Sequence, residues 1–312
     1  MDEDVSHFDG EITLTKCPAC LGSNIREYIK SRDYHYNIVG LFQTAICEDC
    51  KTVFVNPMPS AEDLSKLYPD DYYSYQSPRL ESRTRRLIRK ILRYPRVYTV
   101  PSFSRPGVMI DIGCGAGHYL LEMKRQGWEV HGVELSKGAA RAGREAGLDI
   151  RDGELREAGF PDRMFDFVRS NHSFEHIPDP DPTLREMHRI LRDDGKMFLG
   201  IPNYDGLWAR IFKQFWWNFG LPVHTFNYSI NGITALLERN GFQVDRIVHN
   251  SDYTGLVGSA QIKRNAARGK LSSDGGLMRN RVLRLPAHYL TKLVDIFQQG
   301  DCIEIIASKK NA

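Results

Sequence analysis

The sequence has 312 residues, of which 41% are hydrophobic and 26% are charged, and its formal net charge is +3. This composition is ordinary for a globular protein, and the net charge is too small to argue for nucleic-acid binding. The acidic start, Met-Asp-Glu-Asp, lacks the apolar segment of a signal peptide, and no apolar run is long enough to span a membrane, so we expect a cytoplasmic protein.

Four of the six cysteines form two Cys-x-x-Cys units: Cys17, Cys20, Cys47 and Cys50. Each unit can share one tight turn and present two thiolates to a tetrahedral ion, and without an export signal a metal is favoured over disulfides. The alternatives are surface thiol pairs or a redox motif, but the strand-helix context of a thioredoxin-like motif is missing. We predict a zinc-ribbon-like module over residues 1–56 with a structural Zn²⁺ ion, because four thiolates leave no open position for catalysis.

The segment between the cysteine pairs, residues 21–46, alternates apolar and polar side chains around Tyr34, Tyr36, Ile38 and Leu41. This alternation predicts a β-hairpin or meander inside the module. Residues 57–100 are predicted as a helical connector, in which Ser60 followed by Ala-Glu-Asp is typical of a helix start.

Two features of this connector have alternative interpretations. The run Tyr68-Pro-Asp-Asp-Tyr-Tyr either lines a substrate entrance or, as we favour, packs the small module on the large domain. Residues 79–96 carry eight basic side chains, one acid and an apolar helical face. Such a basic amphipathic arm suits phosphates or peripheral contact with the inner face of a membrane, but a solvated linker helix has the same pattern.

From residue 101 to residue 312, strand and helix patterns alternate, which predicts an α/β domain whose doubly wound parallel sheet has helices on both faces. The predicted strands are 108–112, 129–133, 148–151, 164–170, 195–201, 242–248 and 302–308. The predicted helices are 117–126, 137–146, 181–191 and 229–240. Two insertions are expected, at about 204–227 and 250–300.

The first strand of this domain is followed by alternating glycines, Gly113, Gly115 and Gly117, with Asp111 at the end of the strand. Alternating glycines permit a tight turn that brings backbone close to a ligand, although a plain strand-to-helix turn has the same residues. Glu134 ends the next strand about 20 residues later, where doubly wound folds place an acid on ribose hydroxyls. The spacing differs from the dinucleotide fingerprint, and the nearby acid suits an ammonium better than a pyrophosphate.

The run Asp-Ile-Gly-Cys-Gly-Ala-Gly resembles motif I of the class I S-adenosylmethionine (SAM) methyltransferases. The resemblance implies a Rossmann-like sheet of seven strands with the last strand antiparallel. It also implies that Asp152 contacts the adenine amine, although Asp152-Gly153 can equally be a plain turn. The residues expected to bind SAM are Asp111, Gly113, Cys114, Gly115, Gly117, Glu134, Leu135, Asp152 and Asn171.

After the fourth strand, the run Asn171-His172-Ser-Phe-Glu175-His176 also resembles this family and should lie near the methyl group of SAM. Some quinone-type O-methyltransferases of the class bind a metal through Glu-x-x-Glu-His. Because His172 stands in place of the first acid, we expect no catalytic metal here. In the alternative interpretation, Glu175 and His176 only hold the following helix.

The insertion at residues 207–219 is dense in aromatic side chains, which suits an acceptor pocket, an interfacial patch or core packing. His224 follows it in a His-x-Phe element that recurs in the resembling small-molecule methyltransferases. His224 is therefore the preferred general base, with His172 as its rival, His176 as a further candidate, and a structural loop histidine as the alternative. Residues 277–297 are amphipathic but contain Pro286, and could cover the active site, form a dimer contact or touch a membrane.

A four-cysteine module, a Tyr-rich connector and this domain together resemble bacterial methyltransferases of saccharide and antibiotic-sugar biosynthesis. The resemblance implies O-methylation of a small-molecule or glycan-type acceptor. C-methylation is not expected, since such enzymes usually carry a further C-terminal domain. An RNA methyltransferase is the alternative, but the Asn/Asp-Pro-Pro-Tyr motif and a catalytic-cysteine motif are missing. A non-catalytic SAM-binding scaffold is the third possibility, and the sequence does not define the oligomeric state.

Overall fold

The computed structural model describes residues 6–8, 10–36, 38–67 and 103–310. The Tyr-rich run and the basic arm at residues 79–96 lie outside the described residues. The described N-terminal part of the chain contains β1 (Ile25–Ser31), β2 (Phe42–Cys47), β3 (Val53–Val55) and α1 (Ala61–Ser65). As predicted, Ser60 caps α1, since its hydroxyl accepts a hydrogen bond from the backbone N–H of Asp63.

The predicted hairpin is present, because β1 and β2 pair antiparallel between the two cysteine pairs. Its strands differ from those that the sequence pattern indicated. Tyr34, Tyr36, Ile38 and Leu41 lie in the connection between the strands and not in either strand. Asp33 organises this connection, because its carboxylate accepts hydrogen bonds from the backbone N–H groups of His35, Tyr36 and Ile38. A local turn therefore produces the alternation that resembled a strand.

The second part of the chain alternates strands and helices. Its elements are β4 (Val108–Ile112), α2 (His118–Arg125), β5 (Glu129–Glu134), α3 (Lys137–Glu145), β6 (Asp149–Asp152), β7 (Phe165–Asn171), α4 (Pro180–Ile190), β8 (Leu191–Pro202), α5 (Leu207–Phe212), β9 (Phe226–Asn227), α6 (Ile230–Arg239), β10 (Phe242–His249), α7 (Thr254–Ala266), α8 (Gly276–Arg279), α9 (Arg281–Ile296) and β11 (Cys302–Lys309). Every predicted strand and helix of this domain is observed, with ends shifted by a few residues.

Seven strands form one sheet in the order β10-β11-β8-β7-β4-β5-β6. The last strand, β11, runs antiparallel to both of its neighbours, and the central strands are parallel. This is the seven-stranded, doubly wound α/β sheet with an antiparallel last strand that the sequence predicts. The strand order reverses between β4 and β7, so ligands are expected where the carboxyl ends of β4, β5 and β7 meet. No helix among the described residues is long and apolar enough to cross a membrane.

The small sheet has the order β1-β2-β3-β9, so its last strand comes from the larger domain. Phe226 and Asn227 of β9 pair with Phe54 and Val53 of β3. The aromatic insertion packs against the same sheet, since Trp208, Trp216 and Phe219 join one buried cluster with Phe42 and Val53. Three of its six aromatic rings are thus core residues and Phe212 packs against them, which favours the core-packing interpretation of this insertion.

The helix α9 continues through Pro286, where the sequence pattern indicated an interruption. Pro286 is the sixth residue of α9 and has no N–H, so the helix lacks one hydrogen bond, to the carbonyl of Val282, without ending there. Several apolar side chains of this segment face solvent: Val282, Leu285, Tyr289, Leu293, Ile296 and Phe297.

Candidate functional site

The glycine loop after β4 adopts the left-handed backbone conformation that the sequence predicts, with φ of +69° at Gly113, +55° at Gly115 and +84° at Gly117. A methyl group on Gly113 would lie 2.4 Å from the Cβ of Ser173, so the loop also touches the segment after β7. The backbone N–H of Gly113 donates to Val133 O at 2.8 Å. Glycine is therefore required here both for conformation and for close packing.

Glu134 closes the opposite side of this loop. Its Oε2 accepts from the backbone N–H of Gly115 at 2.8 Å, and its Oε1 accepts from the backbone N–H of Ser136 at 2.8 Å. Burial raises the pKa of Glu134, and these two hydrogen bonds oppose that rise. Each oxygen keeps a second lone pair, so a pair of ligand hydroxyl groups can still donate to this carboxylate.

Two other predicted residues flank Glu134 at the same edge of the sheet. Leu135 follows it with 65% of its surface exposed. Asp152 is the register partner of Glu134 across β5 and β6, and its carboxylate accepts from Arg144 at 2.8 Å. The two carboxylates and the exposed leucine therefore lie beside the glycine loop at the carboxyl edge of the sheet, where a ligand crevice is expected.

Asp111 lies beneath the loop rather than in the crevice, because it is only 1% exposed. Nη1 of Arg169, its register partner on β7, donates to both carboxylate oxygens at 2.7 Å. The guanidinium also stacks on Tyr119, 3.9 Å from the ring centroid. Burial raises the pKa of Asp111, and the Arg169 cation opposes the rise. The sequence predicted that Asp111 is available to bind an ammonium group of the ligand. In the structure its carboxylate is already paired with the buried Arg169.

The segment after β7 forms the other wall. Asn171 ends the strand, and His172 follows with φ of +50° and its backbone N–H donating to Gly200 O at 2.8 Å. The side chain of His172 is 40% exposed, and its Nδ1 lies 3.5 Å from Oε1 of Glu175. Ser173 ties the two walls together, because its hydroxyl donates to Ile112 O at 2.9 Å. The side chain of the first histidine after β7 is therefore partly exposed at the same edge of the sheet.

Glu175 lies at the centre of a histidine cluster and is 1% exposed. His176 beside it donates from Nδ1 to Val223 O at 2.9 Å, and His224 donates from Nδ1 to Asn218 O at 2.8 Å. The two imidazole rings meet edge to face, with their centroids 4.6 Å apart. Burial lowers the pKa of His176, and burial together with His176 lowers the pKa of His224 to about 3. Both imidazoles are therefore neutral near pH 7.

The four predicted cysteine ligands come together between β1, β2 and β3. Cys17 Sγ lies 3.7 Å from Cys50 Sγ, and Cys20 Sγ lies 3.5 Å from Cys47 Sγ. Four thiolates around a tetrahedral zinc ion are about 3.8 Å apart, so the donor set and its size both fit zinc. Each Cys-x-x-Cys turn ends in a residue with positive φ, Leu21 or Lys51. Burial raises the pKa of Cys20 to about 11, and a bound cation would reverse this rise.

Sequence reasoning missed two charged residues, one beneath the glycine loop and one beside the four cysteines. Arg169 follows Phe167 and Val168 in the buried part of β7, and a cation in a buried strand requires a partner, which is the signal that could have identified it. Arg239 ends α6 and donates both to the Pro18 carbonyl at 2.6 Å and to Asp181 at 2.6 Å. Nothing in the local sequence indicated that contact, since its partners are far away along the chain.

Comparison with known proteins gives a family and several relatives. A family model described as "Methyltransferase domain" matches residues 79–247, more than half of the chain. A demethylmenaquinone methyltransferase of Listeria welshimeri is 28% identical over 128 residues, covering 37% of this chain and 53% of that protein. A ubiquinone biosynthesis O-methyltransferase of Pseudomonas aeruginosa is 28% identical over 102 residues, covering 30% and 44%. The chain spans about half the length of these curated relatives.

Among solved structures, a SAM-dependent methyltransferase from Archaeoglobus fulgidus is similar to this chain with a TM-score of 0.46 and 23% identity. The match covers 72% of this chain and 94% of that structure.

Proposed function

The chain belongs to the methyltransferase domain family, and we propose that it transfers the methyl group of SAM to a hydroxyl oxygen of a small-molecule or glycan-type acceptor. The observation that carries the proposal is the glycine loop closed by Glu134 at the carboxyl edge of the sheet. The sulfonium of SAM is already activated, so the protein has two tasks. It must align the acceptor oxygen with the methyl carbon, and it must take the hydroxyl proton as the new O–C bond forms.

SAM would fill the crevice between the glycine loop and the segment after β7. Because the N–H groups of Gly113 and Gly115 already donate within the protein, the glycines admit the ligand by having no side chain. Glu134 would accept the two ribose hydroxyls, and Asp111 would act through Arg169 to hold the loop from below. The remaining proposed contacts are Cys114 and Gly117 along the loop, Leu135 and Asp152 at the adenine, and Asn171 at the methyl end.

Replacing Glu134 with alanine should weaken SAM binding by about 10- to 100-fold, because hydrogen bonds to a charged group each contribute about 1.5–3 kcal/mol. Titration calorimetry with SAM and with its demethylated product measures this, starting from a dissociation constant on the order of micromolar for the unchanged protein. Glu129→Ala is the matched control, since Glu129 starts the same strand at its far end and is exposed. Equal affinities for the Glu134 and Glu129 variants would remove Glu134 from the site.

His172 is the proton acceptor that we propose, in place of His224. Burial lowers the pKa of His224 to about 3, which makes it a weak base, whereas His172 is 40% exposed and can pass a proton to water. His172 also follows Asn171 directly at the crevice, and Glu175 lies 3.5 Å behind its Nδ1. At that distance the negative charge of Glu175 stabilises the imidazolium that forms.

His172→Ala should reduce turnover by about 100- to 10,000-fold, the usual contribution of general base catalysis, and should leave SAM affinity unchanged. The assay incubates the enzyme and labelled SAM with metabolite and glycan extracts, and identifies methylated products by mass spectrometry. His188→Ala is the control. His188 lies on α4 and packs against Phe242 at the start of β10, away from the glycine loop. Full turnover by His172→Ala would return the role to His176 or His224, and no product from any extract would count against the proposed activity.

We also propose that Cys17, Cys20, Cys47 and Cys50 hold a structural zinc ion that stabilises the module at residues 1–56. The ion would have no open position, so it takes no part in methyl transfer. Its ligands support β9 through the small sheet, and β9 begins two residues after His224. The zinc site would therefore stabilise the acceptor side of the crevice.

A further inference from the structure

The histidine cluster around Glu175 is a second place where metal-ligating side chains meet. Glu175 and His176 belong to the short 3₁₀ turn after β7, and His224 belongs to the loop before β9. Each residue offers one ligand atom, and these atoms all lie within 4.8 Å of one another. The cluster is separate from the four cysteines and uses a residue far away along the chain.

The hydrogen bonds of the two histidines fix which ring nitrogen carries the lone pair. A backbone carbonyl can only accept, so Nδ1 of His176 and Nδ1 of His224 both carry hydrogen toward Val223 O and Asn218 O. Nε2 is then the basic nitrogen of each ring. A backbone carbonyl on the other ring nitrogen is the arrangement that orients histidine ligands in metal sites.

Glu175 supplies the second, independent observation. Its carboxylate is 1% exposed, and within the part of the chain that the structure describes neither oxygen has a hydrogen-bond partner. Leaving a buried carboxylate unsatisfied is costly, and such groups are normally paired or bound to a metal. His172 Nδ1 is 3.5 Å away from Oε1, too distant for a good hydrogen bond. The buried hydroxyl of Tyr228 likewise has no partner among the described residues.

We propose that Glu175, His176 and His224 bind one divalent transition-metal cation of the zinc, cobalt or ferrous type. Two imidazoles and one carboxylate suit these ions, whereas magnesium and calcium prefer sites built from oxygen ligands. The sequence argument expected no metal because His172 replaces an acid, but here the third ligand comes from His224. Three protein ligands leave a coordination position open, as in catalytic rather than structural sites.

The open coordination position has a role in methyl transfer, and this role rests on the proposed function. An acceptor hydroxyl bound there would have its pKa lowered by the cation, as metal-bound water does. Its proton would pass to His172 while the oxygen attacks the methyl carbon of SAM, the S–C bond breaks, and the demethylated cofactor leaves with the electron pair on sulfur. Metal binding itself is measurable without any acceptor, so its failure and the failure of methyl transfer can be distinguished.

The experiment uses the full chain with zinc retained at the cysteines, and titrates it with Co²⁺ under calorimetry and visible spectroscopy. The unchanged protein should take up one Co²⁺ without the thiolate charge-transfer absorption that marks cobalt on cysteine. Glu175→Gln and His224→Gln should each weaken this uptake by at least about 100-fold, and His188→Gln should not change it. In thermal melts, Co²⁺ should raise the midpoint of the unchanged protein and leave that of Glu175→Gln in place.

Either of two results overturns the proposal: no Co²⁺ uptake beyond the cysteine site by the unchanged protein, or equal uptake by the unchanged protein and both cluster variants. Because glutamine has nearly the shape of glutamate and removes a buried charge that has no hydrogen-bond partner among the described residues, Glu175→Gln should fold at least as well as the unchanged protein without metal. If it does not fold, His224→Gln provides the comparison, and SAM calorimetry on the same samples reports separately on the proposed function.

Discussion

Replacing Cys50 with serine should lower the thermal midpoint of the whole chain by roughly 10 °C or more, and the variant should lose its zinc. The binding free energy of structural zinc in small modules is about 10–16 kcal/mol and is available only to the folded state. Losing even part of this zinc-binding free energy removes a large fraction of the free energy of unfolding of an average protein, which is about 5–15 kcal/mol. Differential scanning fluorimetry and elemental analysis of the purified protein measure both effects.

This loss should extend beyond the small module because the two parts share hydrogen bonds and a sheet. The hydroxyl of Ser229, the cap of α6, donates to the carbonyl of Cys50, and Arg239 at the end of α6 donates to the carbonyl of Pro18. The small sheet ends in β9 of the larger domain. An unfolded module therefore removes a strand partner from β9 and two anchors from α6.

Cys302→Ser is the control for this prediction, because Cys302 begins β11 and lies outside the four-cysteine cluster. SAM affinity should change less than stability in Cys50→Ser at temperatures where the domain is folded, since β4, β5 and β7 belong to the other sheet. A Cys50→Ser protein with its full zinc content and an unchanged midpoint would refute the structural role of the site.

The parts of this molecule that the sequence predicted well are local. The turn at Gly113 needs three glycines within five residues, and the alternation of strand and helix repeats over short windows, so neighbouring residues carry the signal. Glu134 follows the same logic, because the carboxyl ends of two adjacent parallel strands meet at one edge. Short-range patterns of residues therefore suffice to predict the fold class and the meeting of the glycine loop with Glu134 at one edge of the sheet.

The parts that the sequence did not predict depend on contacts between distant residues. Asp111 and Arg169 pair across two strands 58 positions apart, and Asp111 alone appeared available for a ligand. His224 was selected as a base from its local motif, but burial, together with its contact with His176, lowers its pKa to about 3, which is unsuited to that role. The addition of β9 to the small sheet also has no local signal, because two residues are too few to define a strand.

Arg169→Met should destabilise the fold by about 3–5 kcal/mol, the usual cost of removing one partner of a buried ion pair. Asp111 would stay 1% exposed without a cation beside it, directly beneath the glycine loop. We therefore also expect weaker SAM binding. Urea unfolding measures the first effect, and calorimetry with SAM measures the second.

The pH dependence of Arg169→Met identifies the cause of this loss. Burial already raises the pKa of Asp111, and without Arg169 that pKa should rise further. The folded variant then binds a proton that the unfolded chain releases above about pH 4, so its stability should fall as pH rises toward the raised pKa. The variant should therefore be closer to the unchanged protein at about pH 5 than at about pH 8.

A double variant, Asp111→Asn with Arg169→Met, tests whether the unpaired charge causes the effect. Without a carboxylate to bury, it should regain part of the stability that Arg169→Met loses, and the difference between low and high pH should disappear. If the double variant were as unstable as Arg169→Met at every pH, the stacking of Arg169 on Tyr119, 3.9 Å from the ring centroid, would explain its contribution instead of the ion pair.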